Sequence, residues 1–432
     1  MTTTVAPNAS FPSPYTPSGL VKDFHSLPHY DFTFHSVSSE FAPEDRAYEE
    51  ALVQLALPLC LISALFFLYF LIRACCCSTR DFDPFRPSDA RRSRFFLIAL
   101  MFLSCASVAM TIWGSVQASS SVNSFTDSTT ATQSLINQLS DEADDVGQVA
   151  LALANTVNNT AVPGSDKEAK ASLITALTSM DNEINTIITR IQGTIKVTQW
   201  NDDISTGDKA RSVASITFSS LMLLLICLIV MALFCQSFGL LRLCYGFMVF
   251  VFFLCWIGCA AELSLSVGGA DFCMDPNSYV SREIDDDVAT YYILCDGTTV
   301  SPLENYFTVA QDNLRAAMTY AKNLSVPSVN LTVALTGLMA DVDALHSVSD
   351  CRVSLHGSYQ DCVDALCGQG MRAIVLLCFA HGITGLLFLL SLFAIQRVVH
   401  SFNAKVTYIV NTTYSDTFPN ERSHLLPKNT IL

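Results

Sequence analysis

Charge is what this sequence has least of. Asp, Glu, Lys and Arg make up 15% of its 432 residues, while apolar types make up 51%. Soluble domains carry about 25% charged residues. Five apolar runs, at 51–72, 95–117, 213–235, 243–267 and 373–395, each exceed the ~20 residues a helix needs to cross a bilayer. Five buried core helices of that length would leave too little polar surface to cover them. The scarcity of charge therefore excludes a soluble globular protein and implies an integral membrane protein.

Catalytic signatures are missing as well. There is no P-loop, HExxH, nucleophile elbow or Rossmann glycine pattern. No enzymatic activity, no resident cofactor and no nucleic-acid partner is expected. The first residues, MTTTVAPNASFPSPYTPSG, have neither a basic n-region nor an apolar h-region. No cleavable signal peptide is expected there, and the first span is expected to direct its own insertion.

What is present sorts by compartment. The short segment 73–94 holds six arginines, whereas FAPEDRAYEE before the first span is acidic. Basic residues collect in cytoplasmic loops near span ends, so the N-terminus is expected outside and the C-terminus inside. Residues 1–50, 118–212 and 268–372 would then lie outside with 13 basic and 33 acidic side chains. Residues 73–94, 236–242 and 396–432 would lie inside with 11 basic and 5 acidic. The expected fold is all-α: five transmembrane helices, plus a mostly helical extracellular domain built from the two large loops.

The large loops have helical periodicity. Leu135, Leu139, Val146, Val149 and Leu153 recur at three or four residues, as do Leu173, Leu177, Met180, Ile184, Ile187, Ile188, Ile191 and Ile195. Ser165 and Glu168 have capping-box spacing before the second series. In the other loop, SPLE places Ser301 at a cap, Pro302 in the first turn and Glu304 at the third position. A helix to about Leu324 would follow, then another at about 327–349 carrying Leu331, Leu335, Leu338, Val342 and Leu345. Pro43 and Glu44 suit the start of a helix running into the first span.

Cysteines carry several expectations. Cys75, Cys76 and Cys77 follow the first span directly, at the cytoplasmic headgroup level, and are candidates for S-palmitoylation. Cys273, Cys295, Cys351, Cys362 and Cys367 lie in the second large loop, where oxidation is expected. A Cys273–Cys367 bond would clamp the loop's base, and Cys295 and Cys351 would pair one layer further out. Five thiols also admit other connectivities, and Cys362 is left over in this one. Outward-facing sequons place glycosylation at Asn8, Asn158, Asn323 and Asn330. In the tail, ERSHLL offers Glu421, Leu425 and Leu426 as a dileucine sorting signal.

Two acidic features invite chemistry. Glu262, in CAAELSLS, is the only acidic residue inside a predicted span, and such residues usually face protein or a water cavity. It is the candidate intramembrane polar site, with His381 in the fifth span as the nearest candidate partner. Asp285, Asp286 and Asp287 would contribute to a calcium site, although their spacing is not that of an EF-hand and a solvated loop explains them better.

Longer motifs then become informative together. HSLPHYDF and FAPEDRAYEEAL precede the first span and IRACCC follows it. WIGCAAELSLSVGGADFCMDPNSYV, YYILC and CRVSLHGSYQDCVDALC occupy residues 256–367. With the five-span layout, these resemble the tweety family of plasma-membrane proteins. The resemblance implies a chloride or other anion channel, swelling- or calcium-dependent, working as a homodimer. It also implies a lipid-facing hydrophobic pocket, hence the alternative of a lipid-binding or lipid-transfer protein without a pore. A third possibility is an adhesion or scaffold protein. Cys273, Cys295, Cys351 and Cys367 fit the family pattern and Cys362 does not. The family's basic residue tied to anion permeation has no counterpart in 171–189, which holds no Lys or Arg. Its acidic residues past the second span are replaced by Gln117, Ala118, Ser119 and Ser120.

Overall fold

The computed structural model describes residues 15–76, 87–161, 163, 166–194, 197–284, 286–323, 329–353 and 355–417. Regular structure among them is helical, and an isolated bridge between Tyr30 and Ser36 is the one strand-like pairing. The helices are α1 (Gly19–His25), α2 (Arg46–Cys76), α3 (Pro87–Asn159), α4 (Lys167–Thr194), α5 (Val197–Phe234) and α6 (Phe238–Met274). After them come α7 (Pro276–Ile284), α8 (Asp287–Leu294), α9 (Glu304–Lys322), α10 (Val329–Val348) and α11 (Leu355–Val363). A π-helical turn, Asp364–Gly370, leads into α12 (Met371–Thr417).

The chain divides into two units. The first comprises Met1–Ser26, Ser119–Lys209 and Gly269–Met371. Among the described residues its core holds one large apolar cluster. From α3 come Ile136, Leu139, Ala143, Val146, Ala150, Ala154 and Val157; from α4 come Leu173, Leu177, Met180, Ile184, Ile187 and Ile191. Phe307, Leu314, Leu335, Leu338 and Val342 of α9 and α10 complete it. Burying each large apolar side chain contributes about 1.5–3 kcal/mol, so these facing stripes are what hold the helices together. The stripe on α3 is shifted from the one expected: Val149 is exposed, and alanines fill the buried positions between the larger residues.

Helix starts also differ from the capping patterns. The first helical residue of α9 is Glu304, and its N-cap Leu303 makes no side-chain bond. The Ser301 hydroxyl accepts from the Leu303 N–H, and the Ser301 carbonyl accepts from the Glu304 N–H. SPLE thus folds as a turn before the helix rather than as its capping box. Likewise Pro43 and Glu44 form a turn, and the Asp45 carboxylate caps α2 by accepting from the Ala47 N–H. Ser165 lies outside the described residues.

The second unit comprises Leu27–Ala118, Ala210–Gly268 and Arg372–Leu432. It is apolar outside and partly polar inside. Leu61, Leu65, Phe95, Phe102, Trp113, Phe234, Phe247 and Phe379 are exposed, while Ser63, Ser104, Ser107, Thr111, Ser219, Thr384 and Ser391 are buried. Soluble proteins rarely expose contiguous apolar surface on this scale. In lipid the arrangement is stable, because the bilayer solvates the outer side chains and the hydroxyls of Ser63, Ser107, Thr111, Thr384 and Ser391 bond inside. Six helical segments among the described residues are long and apolar enough to cross a membrane. They are Arg46–Arg73, Arg91–Asn159, Asp203–Phe234, Phe238–Met274, Asn330–Val348 and Leu355–Val399. The sequence runs give five; the extra one lies in α10, whose Leu335, Leu338, Val342 and Leu345 pack into the core of the first unit. The protein is a multi-pass, all-α membrane protein.

Candidate functional site

Helices α6 and α12 run in opposite directions and approach closely through glycines. A side chain at Gly385 would meet Trp256 at 2.8 Å, one at Gly382 the Cys259 sulfur at 3.4 Å, and one at Gly258 the His381 ring at 3.7 Å. Small residues of this kind let membrane helices pack backbone to backbone. The same contact faces carry the polar groups. Cys259 and Glu262 are three residues apart on α6, and Cys378 and His381 three apart on α12, so each pair shares one helix face.

The result is a two-rung polar seam. His381 Nδ1 lies 2.8 Å from Glu262 Oε1 and 2.8 Å from Oε2. Facing a carboxylate, Nδ1 is the protonated nitrogen and donates. The two side chains retain 16% and 10% of their exposure, Glu262 the larger. One turn along, Cys259 Sγ and Cys378 Sγ are 3.9 Å apart. The Phe218 ring of α5 lies 6.2 Å from the His381 ring. Ser107 of α3 joins from another side, 2.7 Å from the Thr384 hydroxyl and donating to the Ala380 carbonyl at 3.1 Å. Residues of four helices thus gather around a carboxylate that accepts from a histidine. The sequence singled out both residues, and the structure puts them in hydrogen-bond contact.

The cysteines of the first unit form two bonds, Cys273–Cys367 and Cys295–Cys351. Cys362 is free and buried, and burial together with Asp361 pushes its thiol up to about 11. Cys367 sits in the π-helical turn, beside the Ala365 carbonyl that accepts from the Ser121 hydroxyl. A side chain at Gly370 would meet that same hydroxyl at 2.9 Å, so glycine keeps the contact open. Asp350 and Arg352 pair across Cys351, and this pairing holds the Asp350 carboxyl below the usual range.

Asn158, Asn323 and Asn330 are all exposed. Asn8, Cys77, Glu421, Leu425 and Leu426 lie outside the described residues, as do the side chains of Cys75 and Cys76. Of the acidic triplet, Asp285 is outside them, and Asp286 caps α8 by accepting from the Val288 and Ala289 N–H groups. Among the described residues, no three or more His, Cys, Asp or Glu side chains converge to hold a metal ion.

One further pair went unread in the sequence. His25 Nδ1 lies 2.8 Å from Oδ1 of Asp271, whose side chain is fully buried. The signal was available in the motifs HSLPHYDF and GGADFC, but 246 residues separate the partners and nothing local links them.

A family model described as Tweety matches residues 16–424. Protein tweety homolog 3 of Xenopus laevis is 24% identical over 412 residues, covering 87% of this chain and 76% of that one. Protein tweety homolog 1 of Bos taurus is 24% identical over 402 residues, covering 85% and 87%. Protein tweety homolog 2-like of Danio rerio is 23% identical over 401 residues, covering 86% and 74%.

Proposed function

The chain belongs to the Tweety family, and from that premise we propose that it passes chloride or other anions across the plasma membrane as a homodimer. Five spans cross the bilayer, with the N-terminus outside, the arginine-rich segment 73–94 inside, and the two large loops forming an extracellular helical domain. In this reading α10 stays with that domain, because its apolar residues are already buried in the core there.

The observation that carries the proposal is His381 against Glu262. An unpaired carboxylate within the spans would repel anions. A histidine donating to both of its oxygens disperses that charge, so the pair shapes the local potential that an anion meets. Chloride flux into liposomes holding the purified protein tests the proposal, with Glu262 and His381 variants as the controls.

One observation favours a second reading, that the protein binds lipid. The outer face of α10 bears an open, mainly apolar groove of about 460 Å³ along Thr332, Val333, Thr336, Gly337 and Ala340. Val333 is 66% exposed there. Mass spectrometry of co-purified lipid, compared between wild type and Val333→Asp, separates this reading from the first. Lipid lost in the variant supports it, and an unchanged lipid profile removes it.

A further inference from the structure

The first unit contains a cavity of about 370 Å³, within the size range of small-molecule sites. It is distinct from the acid–histidine seam and from the groove on α10. Its walls include Tyr15, Asp296, His356, Tyr359, Gln360 and Asp364.

His356 is the unusual member. It is 6% exposed. Its Nδ1 lies 3.0 Å from the Tyr292 carbonyl, which can only accept, so Nδ1 carries the proton. Its Nε2 is then a lone-pair acceptor, and it is buried without a partner. Buried polar groups are nearly always hydrogen-bonded, so an orphaned acceptor on a residue that lines a cavity points to a donor that reaches it from there once the side chains covering it give way.

The other wall groups define that donor. Asp296 and Asp364 bring two carboxylates, and among the described residues no Lys or Arg lines the cavity. Asp296 accepts from the Thr298 N–H at 2.9 Å and the Thr298 hydroxyl at 2.7 Å, bonds that hold its carboxyl below the usual range and keep it ionised. Tyr359 donates its hydroxyl proton to Asn277 Oδ1 at 2.9 Å, which leaves its own oxygen as an acceptor. Burial and the Asp364 charge raise the Tyr15 phenol, which therefore stays neutral. Anionic and accepting groups beside two aromatic rings suit a cation that also donates hydrogen bonds.

We propose that this cavity binds a primary ammonium group, with one N–H directed to His356 Nε2 and the charge set against Asp364. Two sources share that chemistry: a free small amine, and the ethanolamine headgroup of a phospholipid. A quaternary ammonium has the charge but no N–H, so it leaves His356 unsatisfied.

The test is calorimetric titration of the full-length protein in detergent with ethanolamine, choline and ethylene glycol. Ethanolamine should bind saturably, at least about tenfold more tightly than choline, and ethylene glycol should not bind. His356→Phe should weaken ethanolamine by about tenfold or more. His356 supports the Tyr292 carbonyl, so Asp364→Asn, at an exposed position, gives a second variant that leaves this contact intact; it should weaken ethanolamine similarly. A parallel arm uses nanodiscs of phosphatidylcholine with and without phosphatidylethanolamine. Selective retention of phosphatidylethanolamine by wild type and not by Asp364→Asn, without binding of free ethanolamine, assigns the site to the headgroup. Binding of free ethanolamine assigns it to a soluble amine. Equal affinity for ethanolamine and choline, or affinity unchanged in Asp364→Asn, overturns the proposal. So does the absence of binding in both arms.

Discussion

His381 Nδ1 stands 2.8 Å from each carboxylate oxygen of Glu262, across the closest approach of α6 and α12. In water-soluble proteins, removing one partner of a buried ion pair costs about 3–5 kcal/mol. Within a bilayer, interhelical polar contacts are worth less, about 0.6 and at most about 1.7 kcal/mol, because the separated helices find other partners. The membrane value decides here. A double-mutant cycle with Glu262→Gln and His381→Gln, read from thermal unfolding in detergent, should give a coupling of about 1 kcal/mol. A coupling of zero would show that the two side chains do not stabilise each other.

The disulfides should contribute more. Cys273–Cys367 spans 94 residues and Cys295–Cys351 spans 56. In the chain-entropy model, closing loops of this size contributes roughly 4–5 kcal/mol. Cys273→Ser and Cys295→Ser should each lower the melting temperature and the fraction of protein reaching the cell surface. Peptide mapping of unreduced wild type should recover the nested pairs, and a Cys351–Cys367 peptide would contradict the fold.

Helix approach is equally testable. Trp256 stands where a side chain at Gly385 would reach, 2.8 Å from its indole nitrogen. Gly385→Val should force α6 and α12 apart and reduce the yield of folded protein, whereas Gly239→Val, with nothing within 4 Å, should be tolerated. Equal yields for the two variants would rule out close packing at this crossing.

Cys362 should be inert. With its thiol pushed up to about 11, about a thousandth is thiolate at pH 8. Iodoacetamide should label it slowly in native protein and quickly after denaturation, read by mass spectrometry. Fast native labelling would show that the thiol is accessible and ionised.

Much of this architecture is legible in the sequence because burial imposes periodicity. Leu173, Leu177, Met180, Ile184, Ile187 and Ile191 announce one face of α4, and all are buried. The nested disulfides are one of several connectivities the five loop cysteines allow, suggested by Cys273 and Cys367 at the ends of the loop. Glu262 stands out because charge is rare in an apolar run, and His381 because it is the nearest group of opposite sign. Caps are less legible, since the same short pattern suits a turn or a helix start; SPLE and Pro43 both resolved as turns. Alanine hides the stripe on α3, because a small residue buries as well as a large one without marking the face. The His25–Asp271 pair and the lone acceptor on His356 have no local signature, since each depends on residues brought together only by folding.

The most direct measurement is chloride flux into liposomes containing purified wild type, Glu262→Gln or His381→Gln, with empty liposomes as the baseline. Losing the acid removes the seam's acidic group, and losing the histidine leaves that group without its hydrogen-bond donor. Wild type should therefore conduct above baseline, Glu262→Gln at least as well, and His381→Gln less. Flux at baseline for all three, or the opposite order for the two variants, would contradict an anion path controlled by this pair.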